Sequence, residues 1–447
     1  MVININKVIL PFIAMLAAVE VQAQTLSFPV VWKKVKEVSP AQQAAHFKTE
    51  SAQESLSRAE KHWLPRVYLD ARSFSTNDPG NALFGLLQQR EITANDFSPD
   101  RLNHPDARAF TRGALGLDLA LYEGGAKSAH VSMADHLLKA EKLGSSQVEL
   151  EHYGQVGLAY GTIASIRRQK VKLRELSEQI AALLKNYQLG QKSNPVGYSG
   201  LLGMKSLAIR IAGLFEQLES QESASFHVLN EMGLKEPNWS PENLDVRGFV
   251  NRFFSLEPIQ AEGPSSKSMA YIESAKALGN SSQIQKSRHL PRVGVFAESF
   301  VFNGSRDTAN GYTAGVYLQW ELYDPSDFGK YKEAKLTAMA AERMAQSAIQ
   351  QENAERRGLQ ESTQTLRSNL LRLEESEKLL AEQTRVSSTL FKNGSIGALQ
   401  FVEILNRRTD VIAQQAETEL LLLKTSVSLV SKTKFEIPDQ VSSGGGL

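Results

Sequence analysis

The sequence predicts an α+β chain built from one strand–strand–long-helix unit that occurs twice. Three observations support this fold class. The tetrapeptide Leu-Pro-Arg-Val occurs at residues 64–67 and again at residues 290–293. Within each copy, apolar residues alternate with small or polar ones in a strand-like segment, the period of two expected of a strand. Later in each copy, apolar residues follow the heptad spacing of packed helices.

The overall composition excludes several classes of protein. A chain of 447 residues is too long for one ordinary compact core, so two domains or an elongated fold is expected. The formal net charge of +1 gives no reason to propose nucleic acid as a partner. Cysteine is absent, which removes disulfides, zinc–thiolate sites, thiol catalysis and the lipidated cysteine of a bacterial lipoprotein.

Residues 1–23 are interpreted as a secretory signal peptide. Lys7 supplies a positive charge, residues 8–19 are mostly apolar, and the small Ala23 allows cleavage before Gln24. A buried N-terminal helix is the alternative. The apolar stretch is much shorter than the roughly 20 residues of a membrane-spanning helix, and no later segment offers roughly 18 uninterrupted apolar residues. Any insertion into a membrane would therefore use strands.

Shared landmarks recur in the same order in the two copies. They are Ser73-Phe74 and Ser299-Phe300, Leu121-Tyr122-Glu123 and Leu322-Tyr323-Asp324, and Tyr187 with Gly190 against Phe391 with Gly394. We predict a first repeat over residues 24–232 and a second over residues 265–435, each a helix, two strands and a long helical hairpin. An irregular, proline-containing linker occupies residues 233–264, and residues 436–447 form a disordered tail. The first copy carries an enlarged loop at about residues 75–107.

Each repeat is expected to contain the same helices. The predicted leading helices cover residues 39–62 and 266–287, the long helices cover 126–188 and 327–392, and their partners cover 196–232 and 398–432. The long helices have a narrow apolar seam, for example Leu173, Leu176, Ile180 and Leu183. A hollow bundle with a hydrated interior and a solid coiled coil both fit this pattern.

Two predicted strands have one apolar and one polar face. They cover residues 115–121 and 316–323, and their predicted lipid-facing residues are Leu115, Leu117, Leu119, Leu121, Val316, Leu318, Trp320 and Leu322. Tyr122, Trp320 and Tyr323 lie near the strand ends, where an aromatic belt would lie. A soluble antiparallel sheet packed on helices is the alternative. Four strands cannot close a barrel, so the membrane interpretation requires three copies and twelve strands.

In this order of elements the chain resembles the TolC family of outer-membrane factors over nearly all of its predicted mature sequence. The motifs that carry the resemblance are Leu64-Pro65 and Leu290-Pro291, Leu121-Tyr122-Glu123-Gly124-Gly125 and Leu322-Tyr323-Asp324, Gly190 and Gly394, and, in the enlarged loop, Phe84-Gly85 and Asp96-Phe97. The resemblance implies a homotrimer with a twelve-stranded β-barrel in the outer membrane, joined to a long α-helical barrel in the periplasm.

The same resemblance implies a function and a set of partners. The trimer would be the exit duct of a tripartite efflux pump or a type I secretion system. It would contact outer-membrane lipid, a periplasmic adaptor (membrane fusion) protein and an inner-membrane transporter. The residues that the resemblance places at the adaptor-contacting tip are Gly190, Asn194, Gly394 and Ser395.

The periplasmic gate of the family maps onto this sequence with departures. Its two acidic ring positions fall on Gln400 and Glu403, its basic link on Ile396, its aromatic link on Phe391, and the acidic link of the first copy on Val196, with Tyr187 beside the tip. A ring of three Glu403 carboxylates would attract cations in a narrow pore. The alternative is that Glu403 is simply a solvated residue of a helix face.

No motif predicts an enzyme. No histidine pair has the spacing of H-E-x-x-H, and Gly124-Gly125-Ala126-Lys127-Ser128 lacks the first glycine of a phosphate-binding loop. We therefore predict no catalytic residue, no cofactor and no metal. The alternative from another functional class is a periplasmic coiled-coil scaffold with a small β domain and no pore.

Overall fold

The computed structural model describes residues 24–187, 193–255 and 263–438. The predicted signal peptide, Gly190 and most of the predicted tail lie outside the described residues. The chain divides into two compact units. The sheet unit consists of Ala45–Gly144 and Lys267–Ile349, and the helical unit consists of the described residues before, between and after these segments. Each predicted repeat contributes to both units, so the units do not coincide with the repeats.

The elements follow the predicted order. They are β1 (Gln24–Leu26), α1 (Phe28–Val38), α2 (Pro40–Glu60), β2 (Arg66–Thr76), α3 (Pro79–Gln88), α4 (Pro99–Asn103), β3 (Arg108–Glu123), α5 (Ala126–Asn186), α6 (Pro195–Glu231), β4 (Trp239–Pro241), α7 (Val246–Phe253), α8 (Ser266–Ser287), β5 (Arg292–Asn303), β6 (Thr308–Gln319), α9 (Lys330–Lys392) and α10 (Ala398–Ser431). The long helices α5 and α9 have 61 and 63 residues.

The sheet unit contains one four-stranded antiparallel sheet in the order β2-β3-β5-β6. It is made of one hairpin from each predicted repeat, and β3 joins the hairpins by pairing with β5. The strand predicted over residues 115–121 is longer, because β3 runs from Arg108 to Glu123. Its ladder with β5 is irregular between Ala120 and Tyr122, so Leu121 forms a β-bulge.

The strand predicted over residues 316–323 was placed too late in the chain. Strand β6 ends at Gln319, whose partner is Arg292 at the start of β5. Pro291 precedes Arg292 and has no backbone N–H to extend the ladder. Trp320 and Leu322 therefore lie beyond the strand, and the Trp320 indole donates instead to the His289 carbonyl at 3.2 Å.

The segment predicted as an irregular linker is largely folded. It contains β4, which pairs in parallel with β1, and the short helix α7. The buried residues of α7 are Val246, Phe249, Val250 and Phe253. They recur at positions i, i+3, i+4 and i+7, one face of a helix. The prediction of an irregular segment was therefore wrong for residues 246–253, because the prolines that suggested it lie outside this helix.

Phe28 in α1 lies at the centre of the main core of the helical unit. Its ring is fully buried and packs within 5.0–6.1 Å of five aromatic rings, those of Tyr153, Tyr160, Phe249, Phe253 and Phe254. The Tyr160 hydroxyl donates to the Leu26 carbonyl at 2.8 Å and accepts from the Glu242 backbone N–H at 2.9 Å. Burial raises the pKa of Tyr160, so the hydroxyl keeps the proton that it donates.

The long helices pack through the predicted apolar seam. Leu173, Leu176 and Ile180 of α5 are buried against residues of α6 and α10 such as Leu207 and Phe401. Across the described ranges, every helix is too short or too polar to cross a membrane.

Replacing Phe28 by alanine should destabilise the helical unit strongly. The change removes an aromatic ring from a closed core, which costs about 3–5 kcal/mol. The measurement is thermal unfolding of the purified protein followed by circular dichroism. Phe47→Ala is the matched control, because the Phe47 side chain is exposed. Equal melting temperatures for the two variants would contradict this account of the core.

Candidate functional site

The register of the sheet separates its residues into two chemically distinct faces. Directly paired residues share a face, and successive residues of a strand alternate between faces. All charged residues of the four strands lie on one face, here called the charged face: Arg66, Asp70, Arg72, Arg108, Arg112, Asp118, Glu123, Arg292 and Glu298. The opposite face, here called the apolar face, has no charged residue along any of these strands.

The apolar face includes five of the residues predicted to face lipid, namely Leu115, Leu117, Leu119, Val316 and Leu318, whereas Leu121 lies in the bulge and has no partner in the ladder. Val67 and Leu69 of β2 continue it beside Leu115, Leu117 and Leu119 of β3, and Val295 joins these residues to Val316 and Leu318 of β6. Leu69 is 79% exposed and Val316 is 71% exposed. Beyond the bulge at Leu121, Tyr122 pairs with Val293 and takes the apolar face. A broad exposed apolar surface is unusual for a protein surface in water.

Ion pairs and aromatic rings cover the charged face. Arg112 pairs with Glu298, whose other carboxylate oxygen accepts from the Tyr68 hydroxyl at 3.2 Å. The Tyr68 ring lies against Gly116 on the neighbouring strand, where a Cβ atom would come within 2.2 Å of the ring. Tyr317 lies in the same way against Gly294. The glycines thus let large polar rings lie flat along the sheet, which leaves room above this face.

Both outer strands of the described sheet have an open edge. Strands β2 and β6 each pair on one side only. Their free backbone groups need water or the strand of another chain as partners.

The turn between α9 and α10 is a regular helix-terminating motif. The backbone N–H of Ser395 donates to the Leu390 carbonyl at 2.8 Å, and that of Gly394 donates to the Phe391 carbonyl at 3.0 Å. Gly394 has φ +71°. This is a Schellman motif, in which the left-handed residue is usually glycine. The geometry of the turn is therefore sufficient to explain a glycine at position 394.

An aromatic stack links the two hairpins beside this turn. The Tyr187, Phe391 and Phe401 rings stack in series, with centroids 6.2 and 5.4 Å apart. The Tyr187 hydroxyl donates to the Gly197 carbonyl at 3.1 Å. The rings line a cleft of about 700 Å³, which Ile396 also lines. The structure thus brings Tyr187, Phe391 and Ile396 together around one cleft. Their side chains are uncharged, so they cannot form the ionic links of the family's gate.

The remaining predicted tip residues are at helix starts or on exposed faces. Asn194 caps α6 by accepting from the Gly197 N–H at 3.1 Å, and the Gln400 side chain accepts from the Gly397 N–H at 3.2 Å. Val196 is exposed in the first turn of α6. Glu403 is exposed and pairs with Arg407, one turn further along α10, at 2.9 Å.

Buried charges lie between the helices at positions that the sequence did not predict as functional. Arg408 of α10 is 6% exposed and pairs with Glu377 of α9 at 3.1 Å. Glu419, also of α10, is buried and accepts from Arg168 and Ser165 of α5. Polar residues at these helix positions are visible in the sequence, but their partners on other helices, 31 positions away for Arg408 and more than 200 for Glu419, are not.

One group of carboxylates has the spacing of metal ligands. Within the described ranges, oxygens of Glu321, Asp324 and Asp327 lie within 4.8 Å of one another. Asp327 already pairs with Lys330 at 2.7 Å and with Arg288 at 3.3 Å. These cations lower the pKa of Asp327 and supply the charge that a metal ion would otherwise provide.

Gly394→Ala should destabilise the tip, because an L-residue in the left-handed region costs roughly 1–2 kcal/mol. Limited trypsin digestion, with cleavage at Lys392 measured by mass spectrometry, should be faster than in the unmodified protein. The control is Gly358→Ala within α9, where no atom lies within 4 Å of an added Cβ and where the change should stabilise by about 0.5–1 kcal/mol. Unchanged cleavage in Gly394→Ala would exclude the strain.

Comparison with known proteins provides a structural match only. No protein-family model matches the sequence, and no curated protein matches it. The outer membrane protein VceC of Vibrio cholerae is 13% identical, with a TM-score of 0.72 over 92% of this chain and 97% of VceC. The Campylobacter jejuni outer membrane channel CmeC is 12% identical, with a TM-score of 0.72 over 93% of this chain and 88% of CmeC.

A third structure, the open state of the Neisseria gonorrhoeae MtrE outer membrane channel, is 12% identical, with a TM-score of 0.74 over 90% of this chain and 88% of MtrE. At such identities the match concerns the fold. The monomer fold expected from the resemblance is confirmed, and the chain has the fold of the TolC-type outer-membrane channels.

Proposed function

We propose that this chain is the protomer of a homotrimeric outer-membrane channel whose helical part lies in the periplasm. The separation of the sheet into an apolar and a charged face carries the proposal. A charged residue on the lipid side of a membrane barrel costs about 2–4 kcal/mol at the bilayer midplane. All nine strand charges lie on the other face, where a hydrated lumen would solvate them.

The open edges of the sheet support the trimer. Unpaired backbone groups are not tolerated in the hydrocarbon core, so β2 of one copy must pair with β6 of the next. Three copies then close a twelve-stranded barrel. Exposed aromatic residues near the strand ends, Tyr122, Trp320 and Tyr323, would form the interfacial belt.

The channel is proposed to act as an exit duct, in a tripartite efflux pump or a type I secretion system. In that assembly a periplasmic adaptor protein would contact the tip around Asn194, Gly394 and Ser395 and recruit an inner-membrane transporter. The aromatic cleft at Tyr187, Phe391 and Phe401 would hold the hairpins together there, and Glu403 would line the pore.

Fractionation of cells that express the full chain tests the proposal. A channel is expected in the outer-membrane fraction as a trimer that dissociates only on heating. A soluble monomer in the periplasm would overturn the channel and favour the coiled-coil scaffold.

Leu117→Arg should reduce the amount of heat-modifiable trimer in the outer membrane. The substitution places a charge on the apolar face, at a cost of about 2–4 kcal/mol in lipid. Thr313→Arg is the matched control, because Thr313 pairs with Glu298 on the charged face and an arginine there would be solvated. Semi-native gel electrophoresis compares the variants. If both assemble equally well, the apolar face does not contact lipid.

Glu403→Ala should lower cation selectivity in planar-bilayer recordings, because it removes a carboxylate from the proposed pore lining. Arg407→Ala should have the opposite effect, since it removes the cation that pairs with Glu403. Reversal potentials in a salt gradient measure both. Selectivity that is unchanged in both variants would exclude Glu403 from the pore lining.

A further inference from the structure

The enlarged loop between β2 and β3 folds over the charged face of the sheet. Phe74, Phe110 and Phe302 lie on that face at the strand ends away from α5. Helix α3 packs on them, because Gly85 lies so close to Phe110 that an added Cβ would be 2.5 Å from the ring. Phe110 is consequently almost fully buried. The loop therefore lies on the proposed lumen side and not on the lipid side.

A buried ion pair fixes the loop in this position. Asp96 of the loop is buried, and its two oxygens accept from Arg306 of the β5–β6 turn at 2.5 and 2.6 Å. The backbone and hydroxyl groups of Thr93 also donate to Asp96, each at 2.8 Å. Chiefly through its hydrogen bonds, the Arg306 guanidinium holds the pKa of Asp96 well below its usual range, so the pair stays ionised at neutral pH.

Gln89 provides a second attachment to the same turn. Its side chain is 1% exposed, and its oxygen accepts from the backbone N–H groups of Arg306 at 3.0 Å and Asp307 at 3.2 Å. Gly304 leaves the space that the Gln89 amide occupies. A loop held by a bidentate ion pair and two backbone hydrogen bonds is a fixed part of the sheet unit.

The fixed loop presents an apolar surface to the proposed lumen. Phe84 and Leu87 lie one turn apart on α3, on the face away from Phe110, and Phe84 is 64% exposed. Apolar side chains that narrow a hydrated pore raise the barrier to ions and polar solutes by excluding water.

We propose that α3 of each copy forms an apolar constriction at the outer mouth of the channel, with Phe84 and Leu87 as its size-selecting residues and Asp96–Arg306 as the clasp that holds it. The proposal rests on the trimeric channel proposed above. The constriction would set an upper limit on the cross-section of the cargo at the outer end of the channel. This limit would not depend on the width of the periplasmic tip.

The absence of cysteine from the sequence allows a direct test. In Phe84→Cys, a charged, water-soluble thiosulfonate reagent added from the outer side should reduce the unitary current in planar bilayers by roughly twofold or more. Leu69→Cys is the matched control on the apolar face. The Leu69 side chain is at least as exposed in the monomer as that of Phe84. In the channel, lipid should protect the cysteine from the reagent, so the current through Leu69→Cys should not change.

Removal of the Asp96–Arg306 ion pair should have the opposite effect on the current. Arg306→Ala should increase the unitary conductance, whereas Arg101→Ala should not, because Arg101 is exposed and lies 3.9 Å from Asp96. Two outcomes would overturn the constriction alone: full current through a Phe84→Cys channel whose labelling is verified by mass spectrometry, or an Arg306→Ala conductance equal to that of the unmodified channel. If the unmodified protein forms no channel at all, the proposed function fails and the constriction with it.

Discussion

Backbone hydrogen bonding is the constraint on which the sheet unit depends. In the four-stranded antiparallel sheet, the inner strands β3 and β5 are hydrogen-bonded to a neighbouring strand on both sides. Strands β2 and β6 each have one edge whose backbone groups are unpaired within the sheet. Water can satisfy them, but the exposed apolar face makes water a poor environment for this sheet. Lipid suits that face but leaves the edges unsatisfied. In the proposed barrel, pairing between copies would meet both requirements, because it closes the edges while the apolar face contacts lipid.

The sequence predicted the elements well, because long periodic patterns determine them. The heptad seams placed α5 and α9 to within a few residues of their ends, and the duplication placed the two hairpins. Strand boundaries were less accurate. Alternation continues past Gln319 through Trp320 and Leu322, but pairing stops where Pro291 ends the partner strand, and a pattern within one segment cannot show where its partner ends. The helix α7 was missed although its spacing was visible.

The contacts of the tip and the outer loop could not be predicted in the same way. Gly394 was recognisable as a landmark, yet its role in the Schellman motif depends on backbone geometry. Asp96 was visible within a motif, but its partner Arg306 is 210 positions away in the chain. The buried pair of Arg408 and Glu377 likewise joins two helices. Pairwise contacts of this kind are specific to the folded structure, and a single sequence carries no sign of which charges will meet.

The core around Phe28 also bears on when the protein can fold. It combines Leu26 and Phe28 from the start of the described chain with Tyr153, Phe249 and, from its end, Phe435 and Ile437. A chain that emerges N-terminus first cannot complete this core until Phe435 and Ile437 have been synthesised. Contacts between such distant residues form slowly and leave apolar segments uncovered in the meantime. The arrangement therefore delays completion of the core until both ends of this long segment have been synthesised, and the apolar residues of its earlier part stay exposed to solvent until then.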